Sequence, residues 1–171
     1  MTGMPDSLPW TVRRATPDDY AAVGELTVRA YVDDGHLPAG MPYAAVLADA
    51  ASRDREGELW VAVEEESGRV LGSVTFAAPG SGYAELAGPH EGEFRMLAVA
   101  HAARGRGVGE ALVRHCIDRA RELGLHGLVM STQPSMLPAH RVYERLGFVR
   151  DPGRDWAPVP GVDLLAYQRA V

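Results

Sequence analysis

Residues Glu93–Leu123 read EFRMLAVAHAARGRGVGEALVRHCIDRAREL. The run Glu93 to Val99 has strand character, with Phe94, Met96 and Ala98 expected on one face and Glu93, Arg95, Leu97 and Val99 on the other. A turn follows, Arg104-Gly105-Arg106-Gly107-Val108-Gly109, and then an amphipathic helix from Gly107 to about Leu123. Glycine admits positive φ and lets a ligand approach the chain with no Cβ in the way. A helix start offers unpaired N–H groups and the positive end of the dipole. The turn is therefore a seat for a phosphate or pyrophosphate, with Arg104 and Arg106 placed for charge-assisted contacts.

Two common phosphate-binding templates fail here. A dinucleotide fingerprint puts its third glycine where this chain has Glu110, and a P-loop needs a lysine, of which the chain has none. The pattern that fits is R-x-x-G-x-G, Arg104 to Gly109, between an apolar strand and an amphipathic helix. These residues resemble motif A of the GNAT superfamily of N-acetyltransferases. Ala139-His140-Arg141-Val142-Tyr143-Glu144-Arg145-Leu146-Gly147-Phe148, about 30 residues on, resembles the A-x-x-x-Y-x-x-x-G-F ending of motif B. The resemblance covers Glu93 to Arg150, roughly a third of the chain. It implies an α/β fold: a mixed, mostly antiparallel sheet of about six to seven strands with about four helices. The central strands, those of Glu93 and Gly127, would run parallel and splay at one end. It also implies that the turn amides hold the pyrophosphate of acetyl-CoA, with its pantetheine arm in the opening between the splayed strands.

Composition is consistent with that picture. A chain of 171 residues, 46% hydrophobic and 23% charged, is long enough to bury a core and is expected to form one domain. No apolar run reaches the ~18 residues of a membrane span, and MTGMPDSLPW lacks the look of an export signal, so a cytoplasmic protein with a loose tail over residues 1–10 is expected. The single cysteine, Cys116, lies on the apolar side of its helix and reads as core. A net charge of −6 argues against nucleic acid as a partner. The charge is uneven: residues 1–100 carry 7 Arg against 16 Asp and Glu, residues 101–171 carry 10 Arg against 7. An anionic ligand would favour the second part and a cationic acceptor the first.

Along the chain, Thr11–Ala15 reads as a strand. Thr16 and Pro17 open a helix whose apolar positions run from Tyr20 to Tyr31, and a second helix is expected over about Tyr43–Arg53. Leu59–Glu65 and Val70–Ala78 form a hairpin, and Pro79–Gly92 is a loop with room for a strand at Tyr83–Leu86. In the long helix, Val108, Leu112, Cys116 and Ala120, flanked by Val113, Ile117 and Leu123, form the buried side, with Gly124 as its stop. Gly127–Thr132 is a strand, Ser135 caps a short helix ending at Leu146, and Gly147 stops it. Phe148–Arg150 starts a strand, Asp151–Gly161 is a loop holding Trp156, and Val162–Ala170 is the last strand.

Acetyl transfer to an amine needs a neutral amine, a stabilised oxyanion and a leaving thiolate that is protonated or tolerated. Under the resemblance, Tyr143 is the acid that protonates the thiolate; otherwise it is a buried aromatic. Glu93, eleven residues before Arg104, stands where several family members carry a base. The alternatives are a water chain, or a strand-end carboxylate paired with Arg95. The amides of Leu97, Ala98 and Val99 would meet the pantetheine and the thioester carbonyl. Family members often hold the pantetheine with an asparagine where this chain has Met136, so that contact is either lost or supplied by a neighbour such as Ser135 or Gln133. Tyr31, His36, Arg95 and Trp156 are candidates for the acceptor side. The six histidines have no metal-ligand spacing, and His115 and His140 read as helix surface. The expectation is an acetyl-CoA-dependent N-acetyltransferase acting by direct attack in a ternary complex, on a small amine sooner than a protein amine, with no metal. The alternative is a non-catalytic acyl-CoA-binding module. Dimers are common in that family, and no residue here chooses between monomer and homodimer.

Overall fold

The computed structural model of the chain describes residues 9–38 and 40–171. Its elements are β1 (Trp10–Arg14), α1 (Tyr20–Val32), α2 (Tyr43–Ala48), α3 (Ala50–Glu56), β2 (Glu58–Glu64), β3 (Val70–Ala77), β4 (Glu91–Val99), α4 (Val108–Glu122), β5 (Gly127–Thr132), α5 (Leu137–Arg145), β6 (Val149–Arg150), β7 (Trp156–Val159) and β8 (Val162–Ala170). The eight strands lie in the order β1-β2-β3-β4-β5-β8-β6, with β7 paired to β8. Among the described residues only β4 and β5 run parallel; every other pairing is antiparallel. The expected fold class holds, with one strand and one helix more than anticipated. No helix among the described residues is long and apolar enough to cross a membrane.

The helices cover both sheet faces. α4 and α5 bury Val108, Leu112, Cys116 and Tyr143 against Leu71, Phe76, Phe94 and Met130. α1 to α3 cover the other face, with Val23 and Ala50 against Leu59 and Val61, and Tyr43 and Leu47 against Ala77 and Met96. Leu112 is wholly enclosed; its truncation to alanine would cost about 2–5 kcal/mol. Cys116 is buried as expected, and burial pushes its thiol far above the usual range. α4 ends at Gly124 (φ 70°), and Arg119 and Arg121 complement the dipole in its last turn.

Several expectations need correction. The loose tail was placed over residues 1–10; residues 1–8 lie outside the described residues, and Trp10 is already in β1, opposite Glu64. The single second helix is two, because Asp49 leaves the helical region (ψ 69°) and its carboxylate caps α3 by accepting from the Ser52 N–H at 3.1 Å. Tyr83–Leu86 forms no strand, whereas Trp156–Val159, read as loop, is β7. Ser135 does not cap α5: Met136 holds the cap position with no side-chain bond. Leu123 is 41% exposed, at the frayed end of the apolar stripe.

One correction governs the site. Met96 has φ 57°, the sole positive φ among the described non-glycine residues. The β3–β4 register passes from Thr75↔Arg95 to Ser73↔Ala98, so Met96 and Leu97 together face Val74. This is a β-bulge, and it reverses the facing of every later residue. Phe94, Leu97 and Val99 therefore pack with the α4 and α5 side, and Met96 with the α1 and α2 side. A plain two-residue alternation had grouped Phe94 with Met96 and Ala98.

Candidate active site

Pairing between β4 and β5 runs from Glu91↔Gly127 to Phe94↔Met130 and then stops. Beyond that point the bulge carries β4 toward β3, while Ser131 and Thr132 stay paired with β8. The edge of β4 from Met96 to Val99 that faces β5 thus has no strand partner. A cleft of about 540 Å³ opens there. Leu97, Ala98 and Val99 line it, as do Arg104, Gly105, Gly107, Val108 and Gly109 of the turn.

Gly105 and Gly107 have φ of 79° and 80°, a conformation that costs other residues about 1–2 kcal/mol. These two left-handed residues fold the turn sharply enough to start α4 at Val108. The helical ladder begins with the Ala111 N–H to Gly107 O at 3.0 Å, so the amides ahead of it stand outside the ladder. With the helix dipole they form an anion seat at one end of the cleft. Arg104 lies in this wall, and its guanidinium grips both oxygens of Asp34, from the segment after α1, with Nη1 to Oδ1 at 3.2 Å. That bond holds the Asp34 carboxyl below the usual carboxylate range. Arg106 is directed elsewhere: it is not in the wall, and its Nη1 lies 3.6 Å from the buried carboxylate of Glu64.

Tyr143 forms the opposite wall from α5. It is 4% exposed and packs with Phe94, Phe148 and Tyr167 at ring centroid separations of 5.9, 6.2 and 6.3 Å. Gly147 ends the helix, and the Phe148 N–H returns to Tyr143 O at 3.0 Å, so the G-F pair locks the tyrosine in place. Burial pushes its phenol far above the ordinary value, which keeps it protonated and able to donate. Pro138, Val142 and Arg145 complete this wall. Their i, i+4, i+7 spacing puts them on one face of α5, a signal already present in the sequence.

Glu93 is fully buried and is not in the cleft wall. Its Oε1 accepts from three successive amides, Glu85 at 3.0 Å, Leu86 at 2.7 Å and Ala87 at 3.0 Å. Its Oε2 is buried with no hydrogen-bond partner among the described residues. Burial raises its pKa, against the opposing pull of the amides and of Arg95. Glu93 and Arg95 are not ion-paired; Arg95 is nearest Glu85, at 3.9 Å.

Of the acceptor-side candidates, Tyr31, His36 and Arg95 line the cleft. Trp156 stands behind, stacked on Arg95, with its indole N–H donating to Ser131 Oγ at 3.2 Å. Ser135 is outside the wall, its Oγ 2.7 Å from His36 Nδ1. Met136 occupies the wall, and its sulfur accepts from the Thr132 hydroxyl at 3.5 Å. The buried Gln133 Nε2 has no partner among the described residues. His115, expected at the surface, is half-buried with its ring 4.0 Å from that of Trp60. Asp34 is a wall residue that sequence reading missed. Nothing local marks it, because its partner lies 70 positions away.

The model of the Acetyltransferase (GNAT) family matches residues 21–148. A mycothiol acetyltransferase of Arthrobacter sp. (strain FB24) is 38% identical over 87 residues, 50% of this chain and 26% of that protein. The chain spans no more than a third of the length of the mycothiol acetyltransferases it matches. Among solved structures, yncA from Salmonella typhimurium with its cofactor acetyl-CoA is 25% identical, with a TM-score of 0.66 over 95% of this chain and 94% of that one. An acetyltransferase from Staphylococcus aureus Mu50 has a TM-score of 0.75 at 14% identity, over 95% of this chain and 99% of that one, a likeness of fold.

Proposed function

The chain belongs to the Acetyltransferase (GNAT) family, and from that premise we propose that it transfers the acetyl group of acetyl-CoA to the amine of a small acceptor in a ternary complex. The observation that carries this reading is the shared cleft: the unpaired edge of β4, the glycine turn and Tyr143 all border one opening.

In this reading acetyl-CoA is a co-substrate. Its pyrophosphate sits on the amides of residues 105–109, with Arg104 as the charged contact and Arg106 outside the site. The pantetheine arm lies along Leu97, Ala98 and Val99 in place of the missing strand. Gln133, just outside the wall, is the proposed donor where relatives use asparagine, because its buried amide nitrogen has no partner among the described residues. The neutral amine attacks the thioester carbonyl carbon; a C–N bond forms, the C–S bond breaks, and the amine loses one proton while the thiolate gains one. Tyr143 donates to the sulfur. Glu93, through its unpartnered Oε2 and a water, takes the amine proton; its raised pKa suits a base near neutrality better than an ordinary carboxylate would. Most of the rate comes from holding the two reactants in attack geometry.

The test pairs CoA release across a panel of primary amines with thermal shift in acetyl-CoA. Stabilisation by acetyl-CoA together with amine-dependent CoA release is the expected result. Binding without release from any amine would leave an acyl-CoA-binding module, and absence of binding would remove the reading altogether.

A further inference from the structure

The acceptor half of the cleft is lined by Tyr31, His36, Arg95 and Met96, and no carboxylate is among them. Among the described residues two carboxylates border the opening, Asp34 bonded to Arg104 and within electrostatic reach of His36, and Glu110 beside Arg114 and Arg145. Arg95 is itself 9% exposed. Its guanidinium carbon lies 5.5 Å from the ring centroid of Tyr83 and 5.4 Å from that of Trp156, so two aromatic rings hold it. Its polar neighbours are the Tyr83 carbonyl at 3.3 Å, the Tyr43 hydroxyl, and the half-exposed Glu85 at 3.9 Å, too far for a hydrogen bond. Glu93 is within electrostatic reach, but the bonds of its carboxylate go to loop amides and not to the guanidinium.

A second buried guanidinium lies near the same tyrosines. Arg53 has no solvent exposure, its Nη2 donates to Thr27 Oγ1 at 3.3 Å, and its Nε and Nη1 have no partner among the described residues. It sits near Tyr31, Tyr43 and Tyr83, the group that also surrounds Arg95, and burial pushes its pKa down to about 10. Neither buried guanidinium is hydrogen-bonded to a carboxylate among the described residues, and of the two only Arg95 reaches the cleft wall.

We propose that the acceptor is an amino carboxylic acid, whose carboxylate Arg95 receives in a forked contact while its amine faces the thioester. The proposal rests on the acetyl-transfer reading above and deepens it. It replaces the cationic acceptor suggested by the acidic first hundred residues, because that acidity is not found on the acceptor side of the cleft. Placement supports the geometry: Arg95 is next to Met96, so the bulge sets an anion site immediately beside the backbone that would hold the thioester. A planar fork held between rings suits a carboxylate better than a mobile point charge would.

The experiment measures kcat/KM for acetyl-CoA-dependent CoA release with methionine, phenylalanine and glutamate, each beside its α-carboxamide, and with simple alkyl amines. The carboxamides carry the less basic amine, so without an anion site they would be the faster substrates at neutral pH. The expected result is a preference of tenfold or more for at least one free acid over its carboxamide, falling below threefold in Arg95→Gln. Arg95→Lys, which keeps the charge and loses the fork, should fall between and serves if Arg95→Gln does not fold. Carboxamides or alkyl amines preferred by the unaltered protein would overturn this proposal and leave acetyl transfer standing, as would a preference that survives Arg95→Gln. No CoA release from any amine would overturn the acetyl-transfer reading and this one with it.

Discussion

The guanidinium of Arg104 and the carboxylate of Asp34 face each other across the mouth of the cleft in a two-pronged ion pair, Nη1 to Oδ1 at 3.2 Å. The pair joins the segment after α1 to the turn before α4. It also places a negative charge beside the seat proposed for a diphosphate. Arg104→Gln should weaken acetyl-CoA binding about tenfold, and more at low salt than at high salt. Asp34→Asn should tighten it about two- to fivefold, since a half-exposed pair of this kind is worth roughly 1 kcal/mol or less. Titration calorimetry at two salt concentrations reads both effects; tighter binding in Arg104→Gln would remove Arg104 from the phosphate site.

Tyr143→Phe removes one hydroxyl from a packed aromatic cluster and leaves the rings in place. If the phenol protonates the departing thiolate, kcat should fall about 100-fold or more, with the Kd for acetyl-CoA within about twofold of the parent. Burial moves the phenol well above its ordinary value, so the parent should show no alkaline loss of rate from this group near the usual ~10. Equal kcat in the variant would return Tyr143 to a packing role.

Glu93 invites two substitutions that separate two roles. Glutamine keeps an oxygen for the amides of Glu85, Leu86 and Ala87, and alanine does not. A base role predicts that Glu93→Gln loses about 100-fold in kcat with the loop 79–90 still protected from proteolysis. In the parent, kcat/KM should then fall on the acid side with a midpoint above the ordinary ~4.3, the direction burial gives, and that limb should vanish in the variant. The stability effect has the opposite sense. A raised folded pKa means the native state holds the proton more tightly, so the stabilisation is present below the unfolded value and is lost as pH rises through the folded one. Full activity in Glu93→Gln would leave the base to water.

Asp19 tests the same linkage with the sign reversed. Its carboxylate accepts from Arg13 Nη1 at 2.7 Å, Arg13 Nη2 at 3.1 Å and the Thr16 N–H at 2.8 Å, and the Arg13 bonds hold its pKa below the usual range. Its contribution is therefore present above the unfolded value near ~3.9 and disappears as pH falls through the depressed one. Because Arg13 is 40% exposed, screening limits the effect, and Asp19→Asn should cost about 1 kcal/mol at pH 7. Urea melts at pH 7 and pH 3 should show the gap between parent and variant closing at the lower pH.

What the sequence makes legible is what local rules encode. The R-x-x-G-x-G turn, the stripe of Val108, Leu112 and Cys116, and the stop at Gly147 each depend on neighbours within a few residues, and each stands where it was expected. The bulge at Met96 carries no glycine, proline or asparagine to announce it; pairing with β3 imposes it, so the facing of Met96 and Leu97 was misjudged. Asp34 and Arg104 meet because the end of α1 and the glycine turn border the same opening, a fact of topology that no window of the sequence contains. Glu93 was matched with Arg95 because strand alternation puts them on one side, while the loop that claims its carboxylate has no periodic signal. Trp156 sat in a Pro- and Gly-rich run that masked β7.

The kink at Met96 divides β4 between two tasks. In the proposed reading, Arg95 ahead of it offers a side chain to the acceptor, and Leu97 to Val99 behind it offer main chain to the group donor. Main-chain contacts tolerate exchange of side chains, so position 95 can be redesigned for a new acceptor while the donor's berth keeps its shape. A library confined to residues 31, 36 and 95 is therefore a direct route to altered selectivity in this scaffold.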